Sequence, residues 1–506
     1  MTATHATSPP ATPPQRAGQK AGIVGAGIAG IAAAIRLAVK GFSVDVYEAN
    51  AYAGGKLSTF SDTTNQRTYR FDAGPSLFTM PHLVDDLFRL ANRNPADYFA
   101  YQRLDETCRY FWDDGTKLTA WADQHRFARE AETVLGEPPE HLLSHLADSA
   151  LKYDVTEKLF LQKSLHKIRT WVGPDALRGY LNLPKLGVFG TMNNANQRRF
   201  THPKLVQLFN RYATYNGSDP YQTPATLNII PHLEYNIGAF FPRLGMVSIT
   251  NSLVQLAQDL GVRFHFNTRV TAIQTEGKRV TGLQTAHGHV PAEVVISNMD
   301  VVSTFRKLLP QARQPERILR QPKSSSGLIF YWGIKREFAE LGLHNIFFSD
   351  DYRAEFAALF GRNELHHDPT IYLNITSKHK PDDAPPGAEN WFILLNAPNN
   401  TGQDWDAVIA RARQDVLQKL SRVLGTDVAA IIETESVLDP RSIEWRTSSS
   451  QGALYGNSSN NRFAAFLRHA NFSHQYNNLY FVGGSVHPGG GIPLCLQSAR
   501  IATDMV

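Results

Sequence analysis

The sequence predicts an α/β fold whose first unit is a strand, a tight turn, a helix and a second strand. Short apolar segments at 21–24 and 43–47 have the length of buried strands, and the stretch 31–39 between them favours a helix. A glycine-rich turn, GAGIAG, separates the first strand from the helix. With 506 residues the chain can bury more than one core, so we expect two domains.

The composition argues against several classes of protein. The net charge of +5 is too small and too dispersed to indicate nucleic-acid binding, although it favours contact with an anionic membrane surface. Cys108 and Cys495 stand far apart, without a CxxC or Cys/His cluster. Zinc binding, thiol redox catalysis and a disulfide framework therefore lose support, and no metal site is expected.

Residues 1–20, rich in Thr, Ala and Pro, are predicted to be a disordered tail.

The apolar run at 21–35 follows Arg16 and Lys20 and so imitates a signal peptide. Glycines at fixed spacing interrupt this run, and they match a nucleotide-binding turn better than a leader. Other apolar runs fall short of the ~20 residues that a membrane-spanning helix needs. The sequence therefore predicts no transmembrane helix.

Gly25, Gly27 and Gly30 form a GxGxxG pattern between the first predicted strand and the helix, and Glu48 stands at the end of the second strand. One glycine makes the turn, one lets the backbone approach a pyrophosphate, and one lets the helix pack against the strand. The amides and dipole of the helix N-terminus favour phosphate, and Glu48 can accept hydrogen bonds from ribose hydroxyls. The pattern predicts a dinucleotide site.

Further glycine segments indicate where the rest of the dinucleotide lies. GGK at 54–56 and FDAGPSLF at 71–78 allow the backbone to approach a bound group closely. The cluster GGSVHPGGGIP at 483–493 precedes the last predicted helix, whose N-terminus can stabilise negative charge on a flat ring. This arrangement suits a reduced flavin.

The remaining chain divides into segments of different character. Residues from about 90 to 235 are predicted to be mostly helical, with few alternating strands. From 245 to 298, a helix closed by Gly261, a strand, a hairpin around Gly277 and an apolar strand indicate a return to the first domain. Residues 303–470 mix strands with one long helix. The runs LIFYW and NIFFS either line a tunnel or are simply buried strands.

Four motifs, in their order along the chain, resemble the bacterial phytoene desaturase (carotenoid/retinoid oxidoreductase) family of flavoproteins. They are VGAGIAGIAAAIRL, EAxxxxGGK, RFDAGPSLFTMP and FVGGSVHPGGGIPL, and the resemblance runs from about residue 21 to 506. The stretches SLHKIRTW, HNIFFSDDY, ENWFILLNAP and HPGGGIPLCLQSAR resemble the 1′-hydroxycarotenoid 3,4-desaturases more than the enzymes that act on phytoene.

The resemblance implies a discontinuous, Rossmann-like FAD-binding domain of the amine-oxidase and phytoene-desaturase type. An inserted, mixed α+β domain is expected to bind substrate and contact a membrane. The FAD-binding domain is expected at residues 21–90, 237–302 and 470–506, and the substrate domain at 91–236 and 303–469.

The glycine patterns and the resemblance together indicate which residues bind FAD. Val270 is expected to contact the adenine through its backbone, and Asn298 to lie close to the core of the same domain. The expected FAD-binding residues are Gly25, Gly27, Ala29, Gly30, Glu48, Ala49, Gly55, Lys56, Gly74, Pro75, Ser76, Leu77, Val270, Asn298, Gly483, Gly484, Gly491, Ile492 and Pro493. One departure is visible: where the family often has PxGGM, this chain has PRLGM, with Leu244 in place of the first glycine.

Acid–base catalysis has few candidates in this sequence. His487 is the titratable side chain of HPGGGIPL. It either assists proton removal or hydrogen-bonds the flavin, or it is a turn histidine bonded to nearby backbone, which is the preferred interpretation. Asp72 and Glu234 are candidates of the same sort, and Asp72 is expected to order its own loop. No catalytic residue is assigned.

A basic amphipathic stretch at 163–172 has two interpretations. Its basic and apolar side chains interleave as Lys163, Leu165, His166, Lys167, Ile168, Arg169, Trp171 and Val172. The stretch either lies in a membrane interface, where it admits a lipid-soluble substrate, or is a solvated helix packed on the core. The resemblance favours the first, so we expect a cytoplasmic protein peripherally associated with the cytoplasmic membrane.

The activity that the resemblance implies is FAD-dependent desaturation at C3–C4 of a 1′-hydroxylated carotenoid, of the 1′-hydroxy-γ-carotene type, in carotenoid biosynthesis. The substrate is expected to arrive from the membrane, and the electron acceptor to be oxygen or a quinone. Phytoene desaturation is the alternative, while retinol-saturase-like reduction and amine oxidation share the cofactor motifs. A non-catalytic prenyl-binding escort protein would be expected to lose the glycine cluster at 483–493, which is intact.

Overall fold

The computed structural model of the protein describes residues 18–461 and 463–506. Most of the tail predicted at residues 1–20 lies outside the described residues, and Lys20 already belongs to the first strand. The strands are β1 (Lys20–Val24), β2 (Ser43–Tyr47), β3 (Thr59–Thr64), β4 (Arg67–Asp72), β5 (Phe78–Thr79), β6 (Tyr101–Arg103), β7 (Glu106–Phe111), β8 (Lys117–Trp121), β9 (Ala239–Pro242), β10 (Arg263–His265), β11 (Val270–Glu276), β12 (Arg279–Thr285), β13 (Gly288–Pro291), β14 (Val294–Ser297), β15 (Ser326–Ile334), β16 (His344–Phe347), β17 (Ile371–Ile375), β18 (Glu389–Ala397), β19 (Ile432–Leu438) and β20 (Leu479–Phe481).

The α-helices lie between these strands and at the end of the chain. They are α1 (Ile28–Val39), α2 (His82–Leu90), α3 (Gln124–Leu135), α4 (Pro139–Thr156), α5 (Pro174–Leu181), α6 (Met192–Arg199), α7 (Pro203–Asn210), α8 (Ile230–His232), α9 (Val247–Asp259), α10 (Val301–Ser303), α11 (Glu316–Leu319), α12 (Tyr352–Phe356), α13 (Trp405–Leu424), α14 (Pro440–Thr447), α15 (Ala464–Leu467) and α16 (Ile492–Thr503). Short 3₁₀ and π turns extend several of them.

A parallel sheet joins the beginning, the middle and the end of the chain, in the order β10–β2–β1–β14–β20. Parallel strands are buried on both faces. One face packs against α1, α9 and α16, and the other against the antiparallel sheet β11–β12–β13. The predicted discontinuous α/β fold is confirmed, while the exact domain limits stay a prediction.

A second large sheet has the order β19–β15–β18–β17–β16–β7–β8 and is antiparallel except between β16 and β7. One of its faces packs against α13, around the fully buried indoles of Trp332, Trp391 and Trp405. Because side chains alternate along a strand, the intervening residues, such as Ile329, point to the opposite face, which is the face that borders the candidate site.

The mostly helical character predicted for residues 90–235 was wrong at the start of that segment. β6, β7 and β8 occupy much of it before residue 122, and helices follow from Gln124 onward. β7 pairs in parallel with β16, so Arg109 is aligned with Asn345. A strand stabilised by a partner so distant in sequence is not revealed by local periodicity.

Glycine packing at the start of α1 gives a stability test. A Cβ atom on Gly30 would lie 2.2 Å from the carbonyl oxygen of Gly25, which is backbone and cannot rotate away. We expect Gly30→Ala to lower the free energy of unfolding by about 1–3 kcal/mol, the usual cost of overpacking. Denaturant unfolding followed by circular dichroism measures this.

The matched control is Gly361→Ala, because a Cβ atom at this exposed helical position would meet nothing within 4 Å. This change is expected to be neutral or to stabilise slightly, since alanine loses less backbone entropy than glycine. Equal stability of the Gly30→Ala protein and the unaltered protein contradicts the packing argument.

Candidate active site

The carboxyl ends of four parallel strands meet at one edge of the sheet. β1, β2, β14 and β20 end in register with one another. Gly25, Glu48 and Asn298 directly follow β1, β2 and β14, and Gly483 is the second residue after β20; all four are predicted cofactor residues. Ligands of open α/β sheets bind at this edge, so the fold itself brings four predicted residues from distant parts of the chain to one site.

Helix α1 begins at this edge without a side-chain cap, and Gly27 is its N-cap residue. A Cβ atom on Gly27 would lie 2.5 Å from Asn298 Nδ2, so any side chain at position 27 would displace the Asn298 amide from this turn. The Glu48 carboxylate accepts a 2.8 Å hydrogen bond from Ala26 N and another from Asn50 Nδ2. These bonds hold an acidic group beside the positive end of the helix dipole.

Lys56 connects the loop after β2 to a distant segment. Its Nζ donates hydrogen bonds to the carbonyl oxygens of Ala453, at 3.1 Å, and Leu454, at 2.9 Å. Burial lowers the pKa of Lys56 to about 8, although the charge of Asp300 opposes this effect. A Cβ atom on Gly74 would lie 2.1 Å from the Lys56 carbonyl oxygen, so the FDAGPSLF loop lies directly against this segment.

Helix α16 begins in the same way as α1, with Gly491 as an N-cap that has no side-chain hydrogen bond. Gly491 has φ +103, and a Cβ atom on it would meet nothing within 4 Å, so the chain leaves space there. The loop before it is held by Arg468, a buried residue that the sequence analysis missed. Its guanidinium donates to the carbonyl oxygens of Tyr455, Asn457 and Gly484, and burial lowers its pKa to about 10.

A cavity of about 800 Å³ lies between this edge and the seven-stranded sheet. All of the predicted cofactor residues except Gly30 line it. Gly30 lies behind the wall, where its lack of a side chain permits the contact with Gly25. The volume is near the upper end of the usual range of about 300–1,000 Å³ for ligand pockets.

The cavity wall opposite the glycine loops is apolar and belongs to the second sheet. Its cross-strand row aligns Ile329 with Leu394, Leu394 with Tyr372, and Tyr372 with Ile346. All four residues line the cavity, as does Phe392. The runs LIFYW and NIFFS are therefore buried strands that also supply one lining residue each.

A buried polar cluster lies at this wall. Glu234 accepts hydrogen bonds from Tyr212, at 2.7 Å, and from Tyr215. The guanidinium of Arg211 lies 5.2 Å from the centre of the Tyr215 ring and donates to its hydroxyl. Each Glu234 oxygen accepts one of these bonds, and the hydroxyl of Tyr215 links the carboxyl group to Arg211. The sequence analysis named Glu234 but not Arg211.

His487 lines the cavity and is bonded to backbone, although not to nearby backbone. Its Nε2 donates a 2.9 Å hydrogen bond to the carbonyl oxygen of Lys163. Burial lowers the pKa of His487 to about 3. The imidazole is therefore neutral at neutral pH and is a poor proton acceptor.

Asp72 connects two loops beside the site. It accepts hydrogen bonds from Arg70 Nη2, at 3.0 Å, and from Met246 N, at 3.1 Å. The first bond lies within β4 and the second holds the PRLGM segment against the end of that strand. The ordering of its own loop by Asp72 stays a prediction. Leu244, the departure from the family pattern, is 70% exposed, while Gly245 keeps the positive φ of +80 that the turn requires.

These contacts fit a dinucleotide that carries a flat ring. The uncapped N-terminus of α1 would hold the pyrophosphate, with Glu48 placed to bind a ribose, and the uncapped N-terminus of α16 would meet the ring in the space beside Gly491. The apolar wall would exclude water from that ring. The fold and the site are those of an FAD-dependent oxidoreductase.

Known proteins resemble this chain over nearly its whole length. The model of the flavin-containing amine oxidoreductases matches residues 28–506. The 1-hydroxycarotenoid 3,4-desaturase of Flavobacterium sp. (strain P99-3) is 50% identical over 488 residues, which are 96% of this chain and 99% of that protein. The 4,4′-diapolycopene oxygenase of Methylomonas sp is 34% identical over 499 residues, or 96% and 98% of the two chains.

Among solved structures, cyclohexylamine oxidase from Brevibacterium oxydans IH-35A shares the fold, with a TM-score of 0.63 at 15% sequence identity, covering 96% of this chain and 98% of that one. The chain belongs to the flavin-containing amine oxidoreductase family, and its cofactor is FAD. The resemblance to carotenoid desaturases predicted from the motifs is confirmed.

The buried state of His487 predicts a dependence of stability on pH. A histidine with a pKa of about 3 in the folded protein and ~6.5 in the unfolded chain is protonated first in the unfolded chain as the pH falls. The contribution of His487 to the free energy of unfolding is therefore fully present above pH ~6.5 and is lost progressively as the pH falls toward ~3. Replacing His487 by Gln, which keeps a donor for Lys163 and does not titrate, is expected to flatten this part of the curve.

Urea unfolding of both proteins at a series of pH values between 7 and 4 measures the difference in slope. Parallel curves contradict the assignment of a neutral, buried His487. The Gln variant is also expected to retain turnover, because a neutral imidazole of such low basicity is not needed as a base.

Proposed function

We propose that the protein is a carotenoid desaturase that introduces a C=C bond at C3–C4 of a 1′-hydroxylated carotenoid. One observation carries the proposal: a single cavity extends from the glycine loops that are expected to hold the flavin to the apolar face of the second sheet. An extended polyene needs such a surface beside the cofactor. The 50% identity to a protein named 1-hydroxycarotenoid 3,4-desaturase supports the choice of substrate.

When bound, FAD supplies a two-electron acceptor for the hydride that leaves an allylic carbon. The protein's own residues bind and orient the polyene along the row from Ile329 to Ile346 and exclude water from it. The neighbouring carbon must then lose a proton. The polyene delocalises the positive charge, so a strong base is not required, in agreement with the low basicity of His487.

Reoxidation is proposed to use oxygen or a membrane quinone. Cys108 and Cys495 both line the cavity as free thiols, and burial raises the pKa of each, to about 12 and about 11. Protonated thiols are poor redox nucleophiles. Electrons are therefore proposed to leave the flavin directly rather than through the cysteines.

The route of the substrate is proposed to begin in a membrane. The basic amphipathic stretch at 163–172 is irregular in the structure: a π turn at Glu157–Leu161 precedes it at the end of α4, and a 3₁₀ turn forms at Ile168–Trp171. The region from 168 to 189 nevertheless exposes large apolar side chains, which we call the apolar patch: Ile168, Val172, Leu177, Tyr180, Leu181, Leu183 and Phe189. In the described part of the chain, no helix has the length and apolarity needed to span a bilayer.

The apolar patch and the cavity share a segment of chain. Leu183 is exposed and also lines the cavity, and Leu165, Leu186 and Val188 line the cavity beside it. Exposed cations, including Lys185, accompany the patch and would favour anionic lipid headgroups. We propose that this surface lies on the cytoplasmic membrane and admits the carotenoid.

Product analysis tests the proposed reaction. The FAD-loaded protein is supplied in lipid vesicles with either 1′-hydroxy-γ-carotene or phytoene, and the products are separated and their absorption spectra recorded. We expect a product only from the hydroxylated carotenoid, with its absorption shifted to longer wavelength because conjugation lengthens by one double bond. Conversion of phytoene assigns the protein to phytoene desaturation instead, and conversion of neither compound favours a binding protein.

Vesicle binding tests the membrane surface. The combined variant Ile168→Ser, Val172→Ser, Leu181→Ser and Phe189→Ser removes most of the exposed apolar area and is expected to weaken binding to anionic phospholipid vesicles by about tenfold or more. Co-sedimentation measures the binding. Leu244→Ser is the matched control, because Leu244 is 70% exposed outside the patch. An equal loss in the control, or no loss in the combined variant, contradicts the assignment.

A further inference from the structure

A chain of hydrogen bonds runs from the FDAGPSLF loop into the wall of the cavity. Ser76 Oγ lies 2.7 Å from the hydroxyl of Tyr372, and that hydroxyl lies 2.8 Å from His344 Nδ1. Ser76, Tyr372 and His344 all line the cavity. His344 and Ile346 are alternate residues of β16 and face the cavity from the same side of the sheet.

The hydrogen bonds determine which ring nitrogen of His344 carries the hydrogen. Asn374 Nδ2 donates to the carbonyl oxygen of Leu343, at 2.9 Å, and to His344 Nδ1, at 3.2 Å. An amide nitrogen only donates, so Nδ1 is an acceptor. Burial, together with the positive charges of His379 and Arg211, lowers the pKa of His344 to about 3, so the ring is neutral. Its hydrogen is therefore on Nε2.

The Nε2–H group of His344 has no acceptor among the residues that the structure describes. His344 is 4% exposed, so bulk water does not replace the missing partner. A buried donor without an acceptor is costly. An acceptor oxygen on a bound ligand would remove that cost, whereas a pure hydrocarbon such as phytoene has no such atom.

We infer that His344 is the specificity-determining residue that recognises the hydroxyl oxygen of the carotenoid. The inference rests on the proposed function. The bond to be oxidised lies in the hydroxylated half of the carotenoid: it is C3–C4 in a 1-hydroxycarotenoid and carries the primed numbers C3′–C4′ in 1′-hydroxy-γ-carotene. The hydroxyl-bearing carbon is therefore two bonds from the nearer carbon of that bond, so the hydroxyl group must bind close to the flavin. The link from His344 through Tyr372 to Ser76, in the loop expected to contact the flavin, provides this proximity.

Two substitutions separate the roles of the ring nitrogens. The side-chain oxygen of Asn approximates the position of Nδ1, whereas the side-chain nitrogen of Gln approximates that of Nε2. His344→Asn therefore keeps an acceptor for Tyr372 but removes the donor that faces the ligand, and His344→Gln keeps that donor. The matched control is His145→Asn, because His145 is equally buried but packs against Phe200 and Phe209 away from the cavity.

The probes are 1′-hydroxy-γ-carotene and its analogue 1′,2′-dihydro-γ-carotene, which has hydrogen in place of the hydroxyl group. The measured quantity is the ratio of kcat/KM for the two compounds. Since the analogue leaves a buried donor unpaired, the unaltered enzyme is expected to prefer the hydroxylated compound by about 10- to 100-fold. The ratio is expected to persist in His344→Gln and His145→Asn and to approach one in His344→Asn.

A ratio that persists in His344→Asn, in protein that retains its FAD, overturns the inference. Dissociation constants of both compounds, from quenching of tryptophan fluorescence, give a second readout. Equal binding of the two compounds by the unaltered protein overturns the inference even if a variant fails to fold. Tighter binding of the hydroxylated compound that is lost in His344→Asn, without any desaturation by the unaltered protein, supports recognition by His344 but overturns the proposed reaction, so the two failures are distinguishable.

Discussion

The hydrogen-bonded register between β1, β14 and β20 is the constraint on which the rest of the structure depends. It aligns strands from the beginning, the middle and the end of the chain, so the turns that follow them converge on one edge. Every group expected to hold FAD either lies at that edge or is held in place by contacts with it. A shift of one residue in this register would exchange the two faces of a strand, and it would separate Gly25 from Asn298.

The second sheet provides an apolar surface that is long enough for the proposed polyene substrate, which the parallel sheet does not provide. Its two faces have different roles, since one is closed by α13 around three tryptophans and the other remains open to the cavity. The polar groups on the open face are few, and most are paired with one another. Arg211 and Glu234 are linked through the hydroxyl of Tyr215. Among the described residues, His344 Nε2 has no acceptor, and Arg211 Nε and His487 Nδ1 also lack a partner.

Sequence reasoning predicted the position of residues correctly where the motif is local. The glycines around α1, and Glu48 after β2, lie at the strand ends where the GxGxxG pattern places them, and their binding of FAD stays a prediction. Arg468 and Arg211 were missed because their importance arises from burial against segments far away in sequence, and nothing in their neighbours signals it. The β-structure around Arg109 was missed for the same reason. His344 lies within a stretch noted for its resemblance to hydroxycarotenoid desaturases, yet its chemistry became visible only when its hydrogen-bond partners were known.

The sheet order has a consequence for biosynthesis. β1 and β2 leave the ribosome early, but β20 and α16 follow only after more than 400 further residues, at rates of roughly 5–20 residues per second. For tens of seconds the nascent β1 lacks its neighbour β14, and α1 lacks α16, so apolar surface is exposed to chaperones and to aggregation. The edge that is expected to hold the cofactor is therefore complete only when synthesis of the chain is nearly finished.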